Sequence, residues 1–467
     1  MKKGPGEKVH KKTVLMVSTM SSFLAPMAMS MVHVALPTIA RELLMDAITL
    51  SWVATSYILA AAALLLPFGR AADIYGRKRV FILGTIVFTI ASFLLGAAWS
   101  AGSLIAFRIL QGIGSAMLFG TGIAMLSSAF PPGERGRALG INVAAVYLGL
   151  SCGPIAGGLL TQHMGWRSIF LFNVPLGTVI IVFSLWKLHA EWAESKGEAF
   201  DLVGSLIYCA MLVALMYGFS MLPAVTGFFL IAAGIAGICG FVVWELRTKR
   251  PILDITLLRT NKVFTLSNIA ALIHYSATFA VGFLLSLYLQ HIKGLSPQNA
   301  GFVLISQPLV QAVFSPFAGR MSDRIEPRIV ASTGMSITAA GLFLLAFIGV
   351  HTGMWFIVSA LALQGFGFAL FSSPNSNAIM SSVENRLYGV ASSMLGTMRL
   401  LGQAFSMGIV MMAFALYIGA IEIVPGHYQM LLKSITVIFT IFGFLCIGGT
   451  FASLTRGNLR QAENKKS

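Results

Sequence analysis

Residues 69–79 read GRAADIYGRKR, a strip of charge and glycine set between two long apolar runs. Only 10% of the chain is charged, yet Arg70, Arg77, Lys78, Arg79 and Asp73 crowd into this one stretch. A degenerate copy, GRMSDRIEPR, recurs at 319–328. The apolar runs around the strips decide what kind of chain carries them. Hydrophobic residues make up 57% of the 467 positions and the mean hydropathy is +0.84, against roughly 45–50% apolar residues in soluble domains. A bilayer crossing takes about 20 apolar residues. Runs of that length begin near Val14, Leu50, Arg79, Ala101, Arg137, Ser168, Leu202, Thr226, Val263, Pro297, Ile329, Gly353, Tyr388 and Tyr428. They are too long and continuous for the alternating segments of about ten residues in a membrane β-barrel, so the sequence predicts an all-α polytopic protein with 14 transmembrane helices.

The basic start MKKGPGEKVHKK resembles a signal peptide, but the apolar stretch behind it runs to Pro37 without a small-residue cleavage site and is read as a retained first helix. Cys152, Cys209, Cys239 and Cys446 all fall inside apolar runs, with neither a disulfide framework nor metal-ligand spacing. The net charge of +16 would suggest nucleic acid in a soluble chain. With the N-terminus placed in the cytoplasm and the sides alternated, however, every Lys/Arg falls on the cytoplasmic side except Arg41, Arg167 and Lys293 outside and Arg108, Arg399 and Lys433 in or beside helices. That is the positive-inside bias. The basicity orients the chain, nucleic acid is excluded as a partner, and an even helix count puts both termini in the cytoplasm of a cell-membrane protein.

The strips follow helices 2 and 10. A plain six-helix duplication would put the second after helix 8, so two helices are inserted between the halves. The expected organisation is a cytoplasmic segment at 1–13, a six-helix bundle at 14–188, a loop at 189–201, the inserted pair at 202–245, a loop at 246–262, a second bundle at 263–455 and a cytoplasmic tail at 456–467. Repeated halves are a transporter's architecture, with the substrate site at their interface near the midplane. There is no GxxxxGK[ST] phosphate loop, no catalytic constellation, and no cofactor or metal cage, so the chain reads as a transporter rather than an enzyme. Short loops offer little surface for a protein partner, and a functional monomer is expected.

The strip at 69–79, with Gly69, Asp73, Gly76 and Arg77, resembles the signature loop between helices 2 and 3 of the major facilitator superfamily. Glycine permits a tight turn and close approach, while a carboxylate can sit at a helix N-terminus and pair with arginine. The resemblance implies a cytoplasmic gating latch that stabilises the outward-open state, with Gly319, Asp323 and Arg324 as its second copy. A plain basic loop would explain the Lys/Arg but not an Asp between two glycines. In helix 4, RILQGIG at 108–114 resembles a second family motif, which implies a part for Arg108 and Gln111 in proton or substrate handling. The other reading of Arg108 is a structural arginine bonded to carbonyls, since a charge at membrane depth costs about 2.5–3.5 kcal/mol on insertion scales.

Helix 5 carries GLSCGPIAGG at 149–158. Gly149, Gly153 and Gly157 share one face and permit close helix contact, Pro154 removes a donor, and Gly158 completes a GxxxGPxxGG pattern similar to the exporter motif of the superfamily. An ordinary packing face has the same physics without a direction of transport. WVATSY at 52–57, GWRSIF at 165–170, NVP at 173–175 and RLLGQ at 399–403 extend the resemblance over the chain to the fourteen-helix drug:proton antiporter family.

Helix 1 departs from that family. Ala28 stands where an acid is usual and His33 where an Asn is usual, and none of the 16 Asp/Glu lies in the middle of an apolar run. His33, His274 or Glu422, at the outer end of helix 13, could carry the proton instead, histidine because it titrates near neutrality. A neutral, hydrogen-bonded imidazole in a helix interface is the other reading of both histidines. Without a buried carboxylate, Arg108 and Arg399 would favour neutral, zwitterionic or anionic substrates over cations. Tyr57, Asn142, Tyr147, Gln307, Gln311 and Asn375 are expected to line the cavity, because amides facing lipid are costly. The implied function is a secondary active transporter exporting amphipathic small molecules by alternating access in exchange for protons. An uncoupled facilitator, an exporter of one metabolite or lipid, and a transport-inactive membrane sensor remain the alternatives.

Overall fold

The structure is a computed structural model that describes residues 11–248, 251–253, 255–384 and 387–457, apart from the side chains of residues 132, 133 and 323. Fourteen helices are long and apolar enough to cross a membrane. They are α1 (Lys11–Glu42), α2 (Ala47–Tyr75), α3 (Arg77–Gly96), α4 (Ala101–Ala129), α5 (Glu134–Met164), α6 (Arg167–Lys187), α7 (Leu202–Ser220), α8 (Val225–Arg247), α9 (Lys262–Ile292), α10 (Pro297–Ser322), α11 (Pro327–Ala346), α12 (Met354–Ser381), α13 (Tyr388–Tyr417) and α14 (Pro425–Leu454). The described residues contain no strand. The protein is a multi-pass membrane protein of the fold class its sequence predicts.

Polar side chains cap several of the helices. Asp46 Oδ1 accepts the Ile48 and Thr49 N–H groups at 2.9 Å each. Ser100 and Ser103 exchange hydrogen bonds at the start of α4, and Asn261 Oδ1 accepts the Phe264 N–H at 3.0 Å at the start of α9. Each satisfies backbone donors that a helix start leaves free.

The packing repeats. Within the first six helices α1 packs on α5, α2 on α4, α3 on α4 and α6, and α1 on α6; their counterparts α9–α13, α10–α12, α11–α12, α11–α14 and α9–α14 all pack as well. The seams between the halves obey the same pairing, α2 against α13 and α5 against α10. Two six-helix bundles are therefore related by a pseudo-twofold, with α7 and α8 extra. The inserted pair pack on each other, and α7 also packs on α2 and α13. Tyr208 donates its hydroxyl to Ala62 O at 3.2 Å, and Cys209 Sγ lies 3.2 Å from Ala63 O. The insertion thus backs one seam rather than standing apart.

Arg456, expected at the start of a solvated tail, is instead buried at 1% exposure. Its guanidinium donates to Ser267 Oγ at 3.1 Å and to Asn375 Oδ1 at 2.8 Å.

Candidate functional site

Both charged strips lie at the same end of the bundle as Lys11 at the start of α1 and Arg456 just past α14, here called the basic end. A cavity of about 1910 Å³ lies between the two halves. It extends from Tyr57, Tyr147, Tyr275 and Arg399 at mid-helix depth to Arg77 and Glu194 at the basic end.

At the opposite end the halves close on each other. Gln290 Nε2 donates to Val34 O at 2.8 Å, joining α9 to α1. The Ala47 N–H at the start of α2 donates to Ile421 O beyond α13 at 3.1 Å, and His163 Nε2 lies 3.1 Å from Gln298 Oε1. Glycines make the tightest part of this closure. A Cβ on Gly158 of α5 would stand 2.7 Å from Pro297 O, and one on Gly301 of α10 would overlap the carbonyl oxygen of Pro154. The helix 5 motif therefore works on two faces: Gly158 and Pro154 meet the second bundle, while Gly149, Gly153 and Gly157 rest on α1. A Cβ at Gly153 would lie 2.5 Å from Ser30 Cβ, and one at Gly157 2.7 Å from Met31 O.

The strip at 69–79 is held by a partner that reading the strips alone did not suggest, the acidic loop between α6 and α7. Arg77 Nε donates to Asp73 Oδ1 at 2.8 Å, and its NH1 donates to Ser128 Oγ and, at 2.9 Å, to Glu194 Oε1. Arg70 donates to Glu198 Oε2 at 2.6 Å. Glu191 accepts the Lys78 N–H at 2.9 Å and lies 3.7 Å from Arg79. Backbone bonds from Arg77 N to Trp192 O and from Ser195 N to Asp73 O complete the strap. Burial opposes ionisation of Glu194. The charge on Arg77, hydrogen bonds from Ser128 and Arg77, and the charge on Arg135 outweigh it and hold the carboxyl below the usual carboxylate range. The signal was in the sequence: three of the 16 acids, Glu191, Glu194 and Glu198, fall within EWAESKGE, residues 191–198. Gly76 turns the chain at φ +118°, and Glu191 occupies the space a side chain there would need. Gly69 and Gly319, by contrast, have nothing within 4 Å of where a Cβ would stand, although Gly120 of α4 faces the Gly69 backbone. Arg324 is exposed, and the side chain of Asp323 lies outside the described residues.

Arg108 is buried at 1% exposure and does not border the cavity. It donates from Nε to Val53 O at 2.9 Å and from NH1 to Gln111 Oε1 at 2.6 Å, and Gln111 Nε2 donates in turn to Ser92 Oγ at 2.9 Å. The guanidinium stands 4.3 Å from the centroid of the Tyr57 ring, which does border the cavity. Of the expected lining residues, Tyr57, Asn142, Tyr147 and Gln311 are in place, as is Arg399. Gln307 and Asn375 are not among those that border the cavity. The Gln307 carbonyl packs against Gly365, and Asn375 is held by Arg456 and Ser267.

Neither histidine borders the cavity. His33 packs edge-on to Phe279 at 5.4 Å, and His274 is sandwiched by Phe371 at 4.1 Å and Phe368 at 4.7 Å. Both His274 nitrogens and His33 Nε2 lack a hydrogen-bond partner among the described residues, so the hydrogen-bonded interface histidine does not describe His274. Glu422 lies beyond α13 in an exposed loop, its carbonyl facing His427, and is not a residue of helix 13.

The sequence profile of the Major Facilitator Superfamily matches residues 19–245 and 268–467. The chain belongs to the major facilitator superfamily. Among superfamily relatives, it is 31% identical over 402 residues to the riboflavin transporter RibZ of Clostridioides difficile, covering 85% of this chain and 87% of that one. It is 30% identical over 400 residues to the multidrug resistance protein Stp of Mycobacterium tuberculosis, covering 83% and 73%. It is 32% identical over 416 residues to the cephamycin export protein CmcT of Amycolatopsis lactamdurans, covering 85% and 84%. The chain is thus a superfamily transporter of small molecules.

Proposed function

We propose that this protein exports amphipathic small molecules by alternating access, in exchange for protons. The observation that carries the reading is the cavity between the pseudo-symmetric halves, reaching the basic end while glycine contacts close the opposite one. The positive-inside bias makes the basic end cytoplasmic, so this is the inward-open state, ready to load from the cytoplasm or inner leaflet. The relatives named for multidrug resistance and cephamycin export support the outward direction. The relative named a riboflavin transporter supports a small-molecule cargo.

In this scheme the acidic loop clasps the 69–79 strip while the cavity faces inward, and the strip must exchange partners for the cycle to turn over. Asp73→Asn is expected to cut transport about tenfold, by weakening one charge-assisted bond of Arg77, while leaving the protein inserted; unchanged transport removes the strip from gating. Glu194→Gln should loosen the loop, read as faster hydrogen exchange across 188–201. Because the Glu194 carboxyl sits below its unfolded value, its contribution is complete at and above ordinary carboxylate pKa values and is lost as pH falls through the lowered one. Exchange protection of the loop is therefore expected to hold from pH 8 to pH 5 and to fall only below about pH 4.

The second reading is an uncoupled facilitator. It is favoured by one observation: the carboxylates among the described cavity residues, Asp73, Glu191 and Glu194, all lie at the basic end. Proteoliposomes with an imposed pH gradient separate the two. Substrate-dependent proton release supports antiport, substrate counterflow without proton movement supports the facilitator, and no movement of any compound in a panel of cationic, neutral and anionic amphiphiles overturns the transport reading.

A further inference from the structure

The two arginines at membrane depth have opposite environments. Arg108 is held by Val53, Gln111 and the face of Tyr57, outside the cavity wall. Arg399 is in the wall. It lies about 17 Å along α13 from Tyr388, at 1.5 Å per residue, whereas the other charged residues bordering the cavity, such as Lys11, Asp73, Arg77 and Glu194, lie at the basic end. No carboxylate among the described residues forms an ion pair with it. Its Nε is buried without a hydrogen-bond partner among the described residues.

The surroundings are aromatic and come from both bundles. The guanidinium carbon stands 5.0 Å from the centroid of the Tyr275 ring on α9. Tyr147 of α5 borders the same cavity, its hydroxyl 2.7 Å from Ser372 Oγ of α12, and so does Phe368. One turn beyond Arg399 on the same face of α13, Gln403 also borders the cavity, and its Oε1 lacks a partner among the described residues. A half-buried, carboxylate-free guanidinium over a ring face, on the wall of a cavity, is a site for an anion carried on a flat ring system. Arginine is suited to both parts, through its forked donors and its affinity for aromatic faces.

We propose that Arg399 is the specificity-determining residue of the cavity and selects aromatic anions: planar substrates bearing one ionised acidic group, which pairs with the guanidinium while the rings pack against Tyr275, Tyr147 and Phe368. This rests on reading the cavity as the substrate site. The arrangement also gives the substrate contacts on both halves at once, so its charge is recognised where the halves meet.

Equilibrium binding of 2-naphthoate and of its neutral amide, 2-naphthamide, to the purified full-length protein in detergent tests the assignment. The wild type is expected to bind the carboxylate at least about tenfold more tightly, the scale of one charge-assisted hydrogen bond. Arg399→Gln should erase that preference, and Arg399→Lys should keep part of it. Equal affinities in the wild type, no binding of either compound, or equal weakening of both by Arg399→Gln overturns the proposal. The wild-type comparison stands even if a variant fails to fold. Vesicle uptake on the same preparation is read separately: a carboxylate preference without transport sinks the export reading and leaves Arg399 as the anion site, and transport without preference does the reverse.

Discussion

Gly301→Val is expected to cut transport by at least tenfold and to shift the protein toward a state open at the end opposite the charged strips. In the structure α5 and α10 touch backbone to backbone there. A Cβ on Gly301 would overlap the Pro154 carbonyl, and one on Gly158 would stand 2.7 Å from Pro297 O and 3.0 Å from Gln298 Cα. Backbone cannot give way as a flexible side chain can, so a branched side chain must push the helices apart. Overpacking of this kind costs about 1–3 kcal/mol, and 1.4 kcal/mol is a tenfold change in an equilibrium. At the middle of that range the ratio of closed to open at that end should move by about thirtyfold. Spin labels at positions 163 and 298, which face each other across the seam, would report the change as a longer distance. Normal transport with an unchanged distance would show that this contact does not close the gate.

Replacing Arg108 with alanine should be nearly as damaging, for a different reason. The side chain is buried, and its removal strands Gln111 Oε1 without a donor and takes from Val53 O the bond it accepts beside its own helix ladder. An orphaned buried group costs roughly 1–3 kcal/mol. The deletion also takes the support from under the Tyr57 ring, whose hydroxyl lies 2.5 Å from Ser115 Oγ at the cavity wall. A lower melting temperature and a transport rate reduced at least tenfold are expected together. Lysine should not restore either, because it cannot reproduce the planar fork that reaches two acceptors and stacks on a ring. Arg108 thus acts through Tyr57 and not by touching substrate, and full activity in Arg108→Ala would refute that role.

The helices were legible in the sequence because membrane spans announce themselves by length and apolarity. The offset of the two strips by one inserted pair was legible because the repeat is interrupted at one place only. What stayed hidden were contacts between segments far apart in sequence. The acidic loop could be seen to be acidic, but not that Glu191, Glu194 and Glu198 each meet a different part of the 69–79 strip. Polarity at membrane depth did not tell cavity residues from buried pairs: Gln311 borders the cavity, while Asn375 serves Arg456. The same limit misplaced Arg456, whose position just past an apolar run looks like tail until the long side chain turns back into the bundle. In His274, a titratable residue in a span looked like a proton carrier, yet its ring lies among Phe368, Phe371 and Tyr275, away from the cavity.

The central claim is that the two ends of the cavity open in turn, and the seam between α5 and α10 offers a direct test. His163 and Gln298 are within hydrogen-bond distance across it. In a variant with the four native cysteines replaced and cysteines placed at 163 and 298, oxidation would tie the far end shut. The account predicts that transport in proteoliposomes stops on oxidation and returns on reduction, while substrate still binds from the side of the charged strips. Transport that continues at its full rate with the cross-link complete would contradict it.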